Sequence, residues 1–279
     1  MDINQLFQKP QHPGNNADHG KKTVCVIDSF LTAPLVEGLD DHFRIIKESS
    51  QNCLRMLREG QLDAGIIPAI DYAEGKGNWK IIPGGAIAAG EGMRQLNLFF
   101  NTEIRHLNKI AFDQSSQNAL VLLKIILQEK YQITPQWVAI EGDLTKKLEG
   151  ADAAILTGDL AYQQHLSNHS YIDLVDEWYD LTGLPFVYAL WIVNDTSFPE
   201  QYIPAIKERL ATISDHMPRA AKRVSQALGG NWKKYDQYFK TVISYQFSEL
   251  EQQGLHELFR YAFFYGVIDH LPDLHFFSL

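Results

Sequence analysis

Cysteine is scarce in this sequence: 279 residues contain two, Cys25 and Cys53. Their spacing matches no zinc-binding pattern, and they fall on a predicted strand and a predicted helix. Structural disulfides are typical of oxidising compartments. We therefore expect two buried free thiols in a reducing compartment, and the expected location is cytoplasmic.

The chain also lacks an excess of positive charge. Lys and Arg number 25 against 34 Asp and Glu, which gives a formal net charge of −9 at pH 7. Nucleic acids and anionic membranes select basic surfaces. The charge balance argues against both as main partners, and an anionic ligand would need positive potential supplied locally.

Long apolar runs are missing as well. Residues 1–22 contain Pro10, Pro13 and Gly14 but no apolar core typical of a signal peptide. No later stretch is apolar over the length that a membrane-spanning helix needs. We expect residues 1–22 to form a flexible N-terminal arm, and we expect no membrane partner.

What the sequence does contain is an alternation of strand and helix patterns in two successive blocks. A chain of 279 residues suits two lobes of roughly 100 to 150 residues better than one core. Strands are predicted at residues 23–27, 43–46, 64–68, 81–82, 96–100, 109–112, 137–140, 151–157 and 186–193. From Pro199 onward the pattern is helical, with segments at residues 199–215, 217–227, 231–245, 248–253 and 255–265. The predicted fold class is α/β, with two lobes and mostly parallel sheets.

The most informative segment is DEWYDLTGLPFVYALW at residues 176–191. Trp178 and Leu181 recur at helical spacing, Gly183 can adopt a left-handed C-cap, and Pro185 cannot extend the helix. An apolar run typical of a buried strand follows. The segment therefore predicts a helix, a tight turn and a strand.

This segment resembles the pattern WxxxTGLPFVxAxW of the menaquinone-biosynthesis family that dehydrates chorismate in the futalosine route, and the resemblance extends from about residue 22. It implies a two-lobed type II periplasmic-binding-protein-like fold with mixed sheets and C-terminal helices packed on lobe one. Lobe one is expected to comprise residues 23–100 and 195–279, and lobe two residues 101–194, with crossings near Asn101 and Asn194. The resemblance implies a metal-free lyase that needs no redox cofactor.

Polar groups gather at the start of the helix predicted at residues 115–130. Ser115, Ser116 and Asn118 would place hydroxyls, an amide and free backbone N–H groups there, which suits a carboxylate. The alternative is that a serine only caps the helix. The segment resembles the family pattern DxSSxTS, in which Asp113, Ser115 and Ser116 match, and this implies contact with a ligand.

Asp159 follows Gly158 at the end of a predicted strand. It either faces the cleft between the lobes or caps the next helix. The family has the same Gly-Asp pair, commonly followed by a basic residue where this chain has Leu160. The segment IIPAIDY, residues 66–72, resembles the family pattern DxALIPxxEY, and we interpret Pro68 there as an architectural turn.

Two positions depart from the family. The pattern YLNTxPL corresponds to residues 29–35, so Leu31 stands where an Asn is thought to take part in the elimination, and Gln95 replaces a cleft Ser of the pattern GPVxSVxLF. Leucine can neither donate nor accept a hydrogen bond, and losing one catalytic donor costs about 3 kcal/mol, or roughly a hundredfold in rate. Thr32 and Gln95 are therefore the expected polar catalytic contacts, and Ser29 is an expected substrate-binding residue.

Other features carry less information. His165 and His169 lie four residues apart without a third ligand, so we predict a solvated loop instead of a zinc site. Asp28 and Glu91 add negative charge near a cleft that would hold a dicarboxylate, which opposes binding unless one is protonated or turned away. The sequence contains no phosphate-binding loop, Ser-His-Asp order or dinucleotide fingerprint.

The leading hypothesis is a lyase that dehydrates chorismate to 3-[(1-carboxyvinyl)oxy]benzoate, as the resemblance implies. Its expected partner is a small-molecule carboxylate substrate, and the sequence gives no indication of oligomeric state. The alternative is a re-purposed family member that binds, or acts on, a different small molecule, which would explain Leu31 and Gln95. In the leading hypothesis Ser115, Ser116 and Asn118 anchor the substrate and Asp159 orients it.

Overall fold

The computed structural model describes residues 21–75, 78–116, 118–164, 169–194 and 198–278. Within these residues the strands form two mixed sheets, one in each lobe. The strands are β1 (Lys22–Ile27), β2 (Phe43–Glu48), β3 (Ala64–Pro68), β4 (Trp79–Ala89), β5 (Leu96–Phe100), β6 (Lys109–Phe112), β7 (Gln136–Ala139), β8 (Ala153–Thr157), β9 (Ser170–Asp173) and β10 (Phe186–Asn194). The predicted α/β fold class is confirmed.

The sheet of lobe one has the strand order β2-β1-β3-β10-β4. β1 is parallel to both β2 and β3, and β10 is antiparallel to β3 and β4. β1 and β3 each contain four consecutive buried residues, as strands do when both faces of the sheet are covered. The parallel strands end at Ile27, Glu48 and Pro68, so the loops that follow them lie at one edge.

The sheet of lobe two has the order β7-β6-β8-β5-β9. β6 is parallel to β7 and β8, whereas β5 is antiparallel to β8 and β9. The parallel strands end at Phe112, Ala139 and Thr157. The edge formed by these ends carries the segments after β6 and β8 that the sequence marks as candidate site residues.

The division of the chain between the lobes differs from the expected boundaries at residues 100 and 194. β5 pairs with strands of lobe two, and β10 pairs with strands of lobe one. The crossings therefore lie at residues 90–95 and 183–185, and the expected crossings near Asn101 and Asn194 are wrong. The reason is register: the backbone of β5 is satisfied by antiparallel pairing with β8, from Leu96 opposite Thr157 to Phe100 opposite Ala153. Residues 1–20 of the predicted arm lie outside the described residues, and Lys22 already begins β1.

The helices pack on both sheets and form the C-terminal region. They are α1 (Ala33–Val36), α2 (Ser50–Arg58), α3 (Ala119–Ile126), α4 (Leu144–Gly150), α5 (Gly158–Gln164), α6 (Leu174–Thr182), α7 (Ile203–Ala211), α8 (Ile213–Leu228), α9 (Trp232–Thr241) and α10 (Glu249–Phe264). The predicted breaks near residues 216 and 254 are wrong, because α8 continues through Pro218 and α10 through Gly254. Gly254 is kept there by packing, since a Cβ on it would lie 2.1 Å from the carbonyl oxygen of Pro185.

The predicted free thiols are wrong. Cys25 and Cys53 form a disulfide, with their Cα atoms 5.8 Å apart. Cys25 lies on β1 and Cys53 on α2, which packs against β1 and brings the two fully buried side chains together. The prediction of a cytoplasmic location loses the support that it drew from free thiols and stays a prediction.

The helix, turn and strand predicted at residues 176–191 are present. Gly183 ends α6 with φ of 68°, and its N–H donates to the carbonyl oxygen of Tyr179 over 2.7 Å. Trp178 and Trp191 are fully buried. None of the helices in the described ranges combines the length and the apolar character that crossing a bilayer requires.

Candidate functional site

The two edges that carry the carboxyl ends of the parallel strands face each other across a cleft between the lobes. In open α/β sheets, ligands bind at such edges. Contacts from the loops of one lobe to the loops of the other place the candidate residues relative to one another. Among the described residues, the contacts between the lobes near these loops include Asp159 with residues 29–30, Asn118 with Asp71, and an aromatic cluster.

Asp159, at the start of α5 in lobe two, reaches the loop after β1 in lobe one. Its Oδ1 accepts hydrogen bonds from Ser29 Oγ at 3.2 Å and from the backbone N–H of Phe30 at 3.1 Å. Burial raises the pKa of Asp159 to about 6, although these two hydrogen bonds act to lower it. The structure therefore brings two predicted site residues, Ser29 and Asp159, together.

Asn118 and Asp71 form the second contact between the lobes. Asn118 Nδ2 donates to Asp71 Oδ2 over 2.9 Å, and nearby Gln51 Nε2 donates to the carbonyl oxygen of Gln114 over 3.0 Å. Asp71 is 5% exposed, and burial raises its pKa to about 7 against the lowering effect of Asn118. A cavity of about 650 Å³, lined in part by Arg58, opens beside this contact.

An aromatic cluster closes the cleft next to Asp159. Tyr162 of α5 lies with its ring centroid 5.0 Å from that of Phe30 and 5.1 Å from that of Tyr238. Phe30 also contacts Tyr235 edge to face at 5.4 Å. Pairs of this kind each contribute roughly 0.5 to 1.5 kcal/mol. The sequence analysis missed this cluster, because its members lie up to 208 positions apart, from Phe30 to Tyr238.

Two hydroxyl groups of the loop after β1 form hydrogen bonds within that loop. Ser29 Oγ accepts from the N–H of Leu31, and Thr32 Oγ1 donates to the carbonyl oxygen of Ser29 over 2.8 Å. Leu31 is fully buried, and its carbonyl oxygen accepts from Tyr245 Oη over 3.0 Å. Thr32 is also fully buried, so its expected role as a polar catalytic contact remains a prediction.

Gln95 lies at the crossing into lobe two. The backbone carbonyl oxygen of Gln95 accepts a hydrogen bond from the N–H of Gly158 over 2.8 Å. Gly158 directly precedes Asp159 at the start of α5. The side chain of Gln95 is fully buried, and neither Oε1 nor Nε2 has a hydrogen-bond partner within the described residues. A buried amide without partners costs about 1 to 3 kcal/mol. The predicted role of Gln95 as a polar catalytic contact stays a prediction.

The loop after β6 holds a network around Asp113. Ser115 Oγ donates to Asp113 Oδ1 over 2.6 Å, and Lys147 Nζ pairs with Asp113 Oδ2. The Lys147 side chain is fully buried, and its cation reaches the predicted carboxylate site only through Asp113 and Ser115. The side chain of Ser116 lies outside the described residues.

The structure separates the candidate residues into two groups. Ser29, Thr32 and Asp159 meet at the loop after β1, whereas Ser115 and Asn118 lie just before α3. The two groups are linked through Thr157, whose Oγ1 donates to the carbonyl oxygen of Ser115 over 3.3 Å. Asp71 was missed as a site residue, although it occupies the Glu position of the family pattern DxALIPxxEY, which was a usable signal.

The prediction against a zinc site involves His165, which lies outside the described residues, and the exposed His169. In the part of the chain that the structure describes, no three His, Cys, Asp or Glu side chains gather as metal ligands do.

Comparison with known proteins decides the family. A family model described as menaquinone biosynthesis matches residues 23–263. The chain belongs to the menaquinone biosynthesis family. The chorismate dehydratase of Thermus thermophilus is 22% identical to it over 205 residues, which cover 67% of this chain and 75% of that protein. The predicted family is confirmed.

Superposition on solved structures shows the fold of this menaquinone biosynthesis family member. A protein from Archaeoglobus fulgidus superposes with a TM-score of 0.71 at 16% identity, covering 89% of this chain and 98% of that one. A Candida albicans protein described as having the generic periplasmic-binding-protein fold gives a TM-score of 0.62 at 14% identity, with coverages of 91% and 92%. The aliphatic sulphonate binding protein SsuA from Escherichia coli gives 0.60 at 12% identity, covering 92% of each chain. The predicted periplasmic-binding-protein-like fold is confirmed.

Proposed function

We propose that this protein is a lyase that removes one water molecule from chorismate to give 3-[(1-carboxyvinyl)oxy]benzoate, in the futalosine route to menaquinone. The observation that carries the proposal is the family match over residues 23–263, supported by the similarity to a chorismate dehydratase. The cytoplasmic location predicted from the sequence is part of this proposal.

The reaction needs a group that moves a proton inside a closed site. A base takes one ring proton, the electron pair of that C–H bond becomes a ring double bond, and the neighbouring C–O bond breaks. We assign this role to Asp159, because a pKa of about 6 lies near neutral pH, where a carboxyl both accepts and returns protons. The same carboxyl gives its proton to the departing hydroxyl, so water leaves and the carboxylate is regenerated.

The remaining polar groups would hold the substrate. Gln95 has a side-chain amide without a partner among the described residues, and its backbone contacts Gly158, which precedes Asp159. Both observations support a hydrogen bond from Gln95 to the ring substituents. Ser29 and Thr32 shape the loop that contacts Asp159. Ser115, Ser116 and Asn118 remain the proposed carboxylate anchors, and the buried cation of Lys147 pairs with Asp113, which accepts a hydrogen bond from Ser115.

The first test is turnover of chorismate by the purified protein. We expect loss of chorismate absorbance and a product lighter by one water in the mass spectrum, above a heat-inactivated control. Asp159→Asn is expected to lower kcat by about 10²- to 10⁴-fold. Asp152→Asn makes the same change in lobe two at a carboxylate that accepts from the N–H groups of Asn108 and Lys109, and it should stay near wild type. Absence of turnover, with no rise in melting temperature on adding chorismate, would contradict the proposal.

A second candidate function is binding of a small molecule without turnover. It is favoured by Leu31, which places a fully buried apolar side chain at the position of the family Asn. A binding protein would retain its ligand unchanged. Native mass spectrometry of the protein mixed with chorismate separates the two, since a binder keeps the mass of chorismate and a lyase releases the lighter product.

A further inference from the structure

Tyr188 lies at an irregularity in β10. Against β4, Val187 pairs with Ala88 and Ala189 pairs with Ile87, so two steps along β10 correspond to one step along β4 and Tyr188 is the extra residue. A bulge of this kind changes the direction of a side chain and is frequent beside active sites. From Phe186 to Val193, Tyr188 is also the one residue that is partly exposed, while the others are buried.

The bulge is at the cleft end of the strand. Ala189 pairs with Pro68, the last residue of β3, and β10 runs antiparallel to β3. Tyr188 therefore lies one residue beyond the carboxyl end of β3, at the edge of the sheet where the loops of lobe one meet those of lobe two. This is the edge that carries Asp71 and faces Asp159.

Two further observations concern the Tyr188 hydroxyl: it lies within the field of Asp159, and it has no hydrogen-bond partner among the described residues. Burial raises the pKa of Tyr188 above its usual range, and the negative charge of Asp159 raises it further, so the hydroxyl keeps its proton and lies within the field of that carboxylate. Among the described residues, no hydrogen bond to Tyr188 Oη is made, whereas Asp159 is already bonded to Ser29 and Phe30. A protonated hydroxyl without a partner is a donor available to a ligand.

The charge of Asp159 also limits what can lie between these two side chains. A ligand carboxylate there would be repelled by Asp159 and would raise its pKa further. A neutral hydroxyl meets no such penalty, because it can donate to Asp159 and accept from Tyr188. The pair is therefore matched to a hydroxyl group of the ligand, and the carboxylates of the ligand have to lie elsewhere in the cleft.

We propose that Tyr188 contacts the substrate directly and donates a hydrogen bond to a ligand hydroxyl that is held between Tyr188 and Asp159. This inference rests on the proposed function, in which that hydroxyl is the one expelled. A donor on the departing oxygen stabilises the charge that develops when the C–O bond breaks, and it acts in the transition state more than in the ground state. Tyr188 is thus a specificity-determining residue for hydroxyl-bearing ring substrates.

The test compares Tyr188→Phe with Tyr171→Phe, a matched change on β9 in lobe two, where the ring packs against Phe99. With chorismate as substrate, we expect Tyr188→Phe to lower kcat by roughly 10²-fold while KM changes by less than about threefold. Tyr171→Phe should remain within about twofold of wild type. Wild-type kcat in Tyr188→Phe would overturn the inference and leave the proposed function intact. No turnover by the wild type would overturn the proposed function and this inference with it.

A second measurement covers the case in which Tyr188→Phe folds poorly. Replacing Tyr188 alone with 3,5-difluorotyrosine keeps the ring and the hydroxyl but lowers the pKa of the hydroxyl. We expect the alkaline limb of the kcat against pH profile to move to lower pH, because the hydroxyl then loses its donor proton earlier. A residue that only packs would leave this limb unchanged, and an unchanged limb would overturn the inference.

Discussion

Asn118 Nδ2 of lobe two lies 2.9 Å from Asp71 Oδ2 of lobe one, and this hydrogen bond crosses the cleft. Asn118→Ala removes the donor and leaves a buried carboxyl without it, so we expect the free energy of unfolding to fall by about 1 to 3 kcal/mol. Asn52→Ala is the matched control, because that amide bonds Glu48 at an exposed site within lobe one. Urea unfolding measures both, and equal losses would contradict a special role for the contact between the lobes.

Stability should depend on pH through buried carboxyls. Burial raises the pKa of Asp71 and of Asp173 from 3.8 to about 7. Because the unfolded chain ionises first, the contribution of these groups is fully present below about pH 4 and is lost as pH rises through about pH 7. We expect Asp173→Asn to reduce the decrease in melting temperature between about pH 5 and about pH 7.5, since its amide oxygen can still accept from the N–H of Val175. Calorimetry at several pH values measures this, and an identical slope in the variant and the wild type would contradict the prediction.

The disulfide should contribute to stability mainly through the unfolded chain. Cys25 and Cys53 are 28 residues apart, and closing a loop of that length is worth about 2 to 4 kcal/mol. Urea unfolding with and without a reducing agent should differ by this amount. Thiol labelling of the denatured, unreduced protein should find no free cysteine, and labelling of both would show that the pair is reduced in solution.

Removing the cation of the buried ion pair between Lys147 and Asp113 should destabilise the protein. Lys147→Met leaves the Asp113 carboxylate without its cation, which we expect to lower the free energy of unfolding by about 3 kcal/mol. The double variant Lys147→Met with Asp113→Leu should recover much of this loss, because no unpaired charge remains. Lys146→Met, at the exposed neighbouring position, is the control and should have little effect. A double variant as unstable as the single one would contradict the account.

At Gly254, close packing and helix propensity favour different residues. Alanine is better than glycine in a helix by about 1 kcal/mol, so propensity alone predicts that Gly254→Ala stabilises α10. A Cβ at this position would lie 2.1 Å from the carbonyl oxygen of Pro185, and overpacking of this kind typically costs about 1 to 3 kcal/mol. We expect a lower melting temperature. Gln253→Ala, at the exposed neighbouring position on α10, should not lower it, and a stabilised Gly254→Ala would show that α10 can move away from Pro185.

The candidate site could be predicted only in part. Asp159 and Asn118 were named because turn chemistry and helix starts are local signals, and the structure places both in contacts between the lobes. Their partners were not predicted, since Asp159 bonds residues about 130 positions away and Asn118 bonds one 47 positions away. Tyr188 carried no signal, because a bulge arises from the pairing of two strands and not from one strand's sequence.

Local elements and the family could be predicted from short segments alone. The turn at Gly183, the alternation of strands and helices, and the pattern at residues 176–191 depend on backbone preferences and periodicity within those segments. Three features could not be predicted in this way: β5 belongs to lobe two, α10 continues through Gly254, and Cys25 bonds Cys53. These features depend on which strand edges and helix faces pair across the fold. Local preferences are compatible with several such pairings, and the hydrogen-bond register and close packing between distant residues determine which one forms.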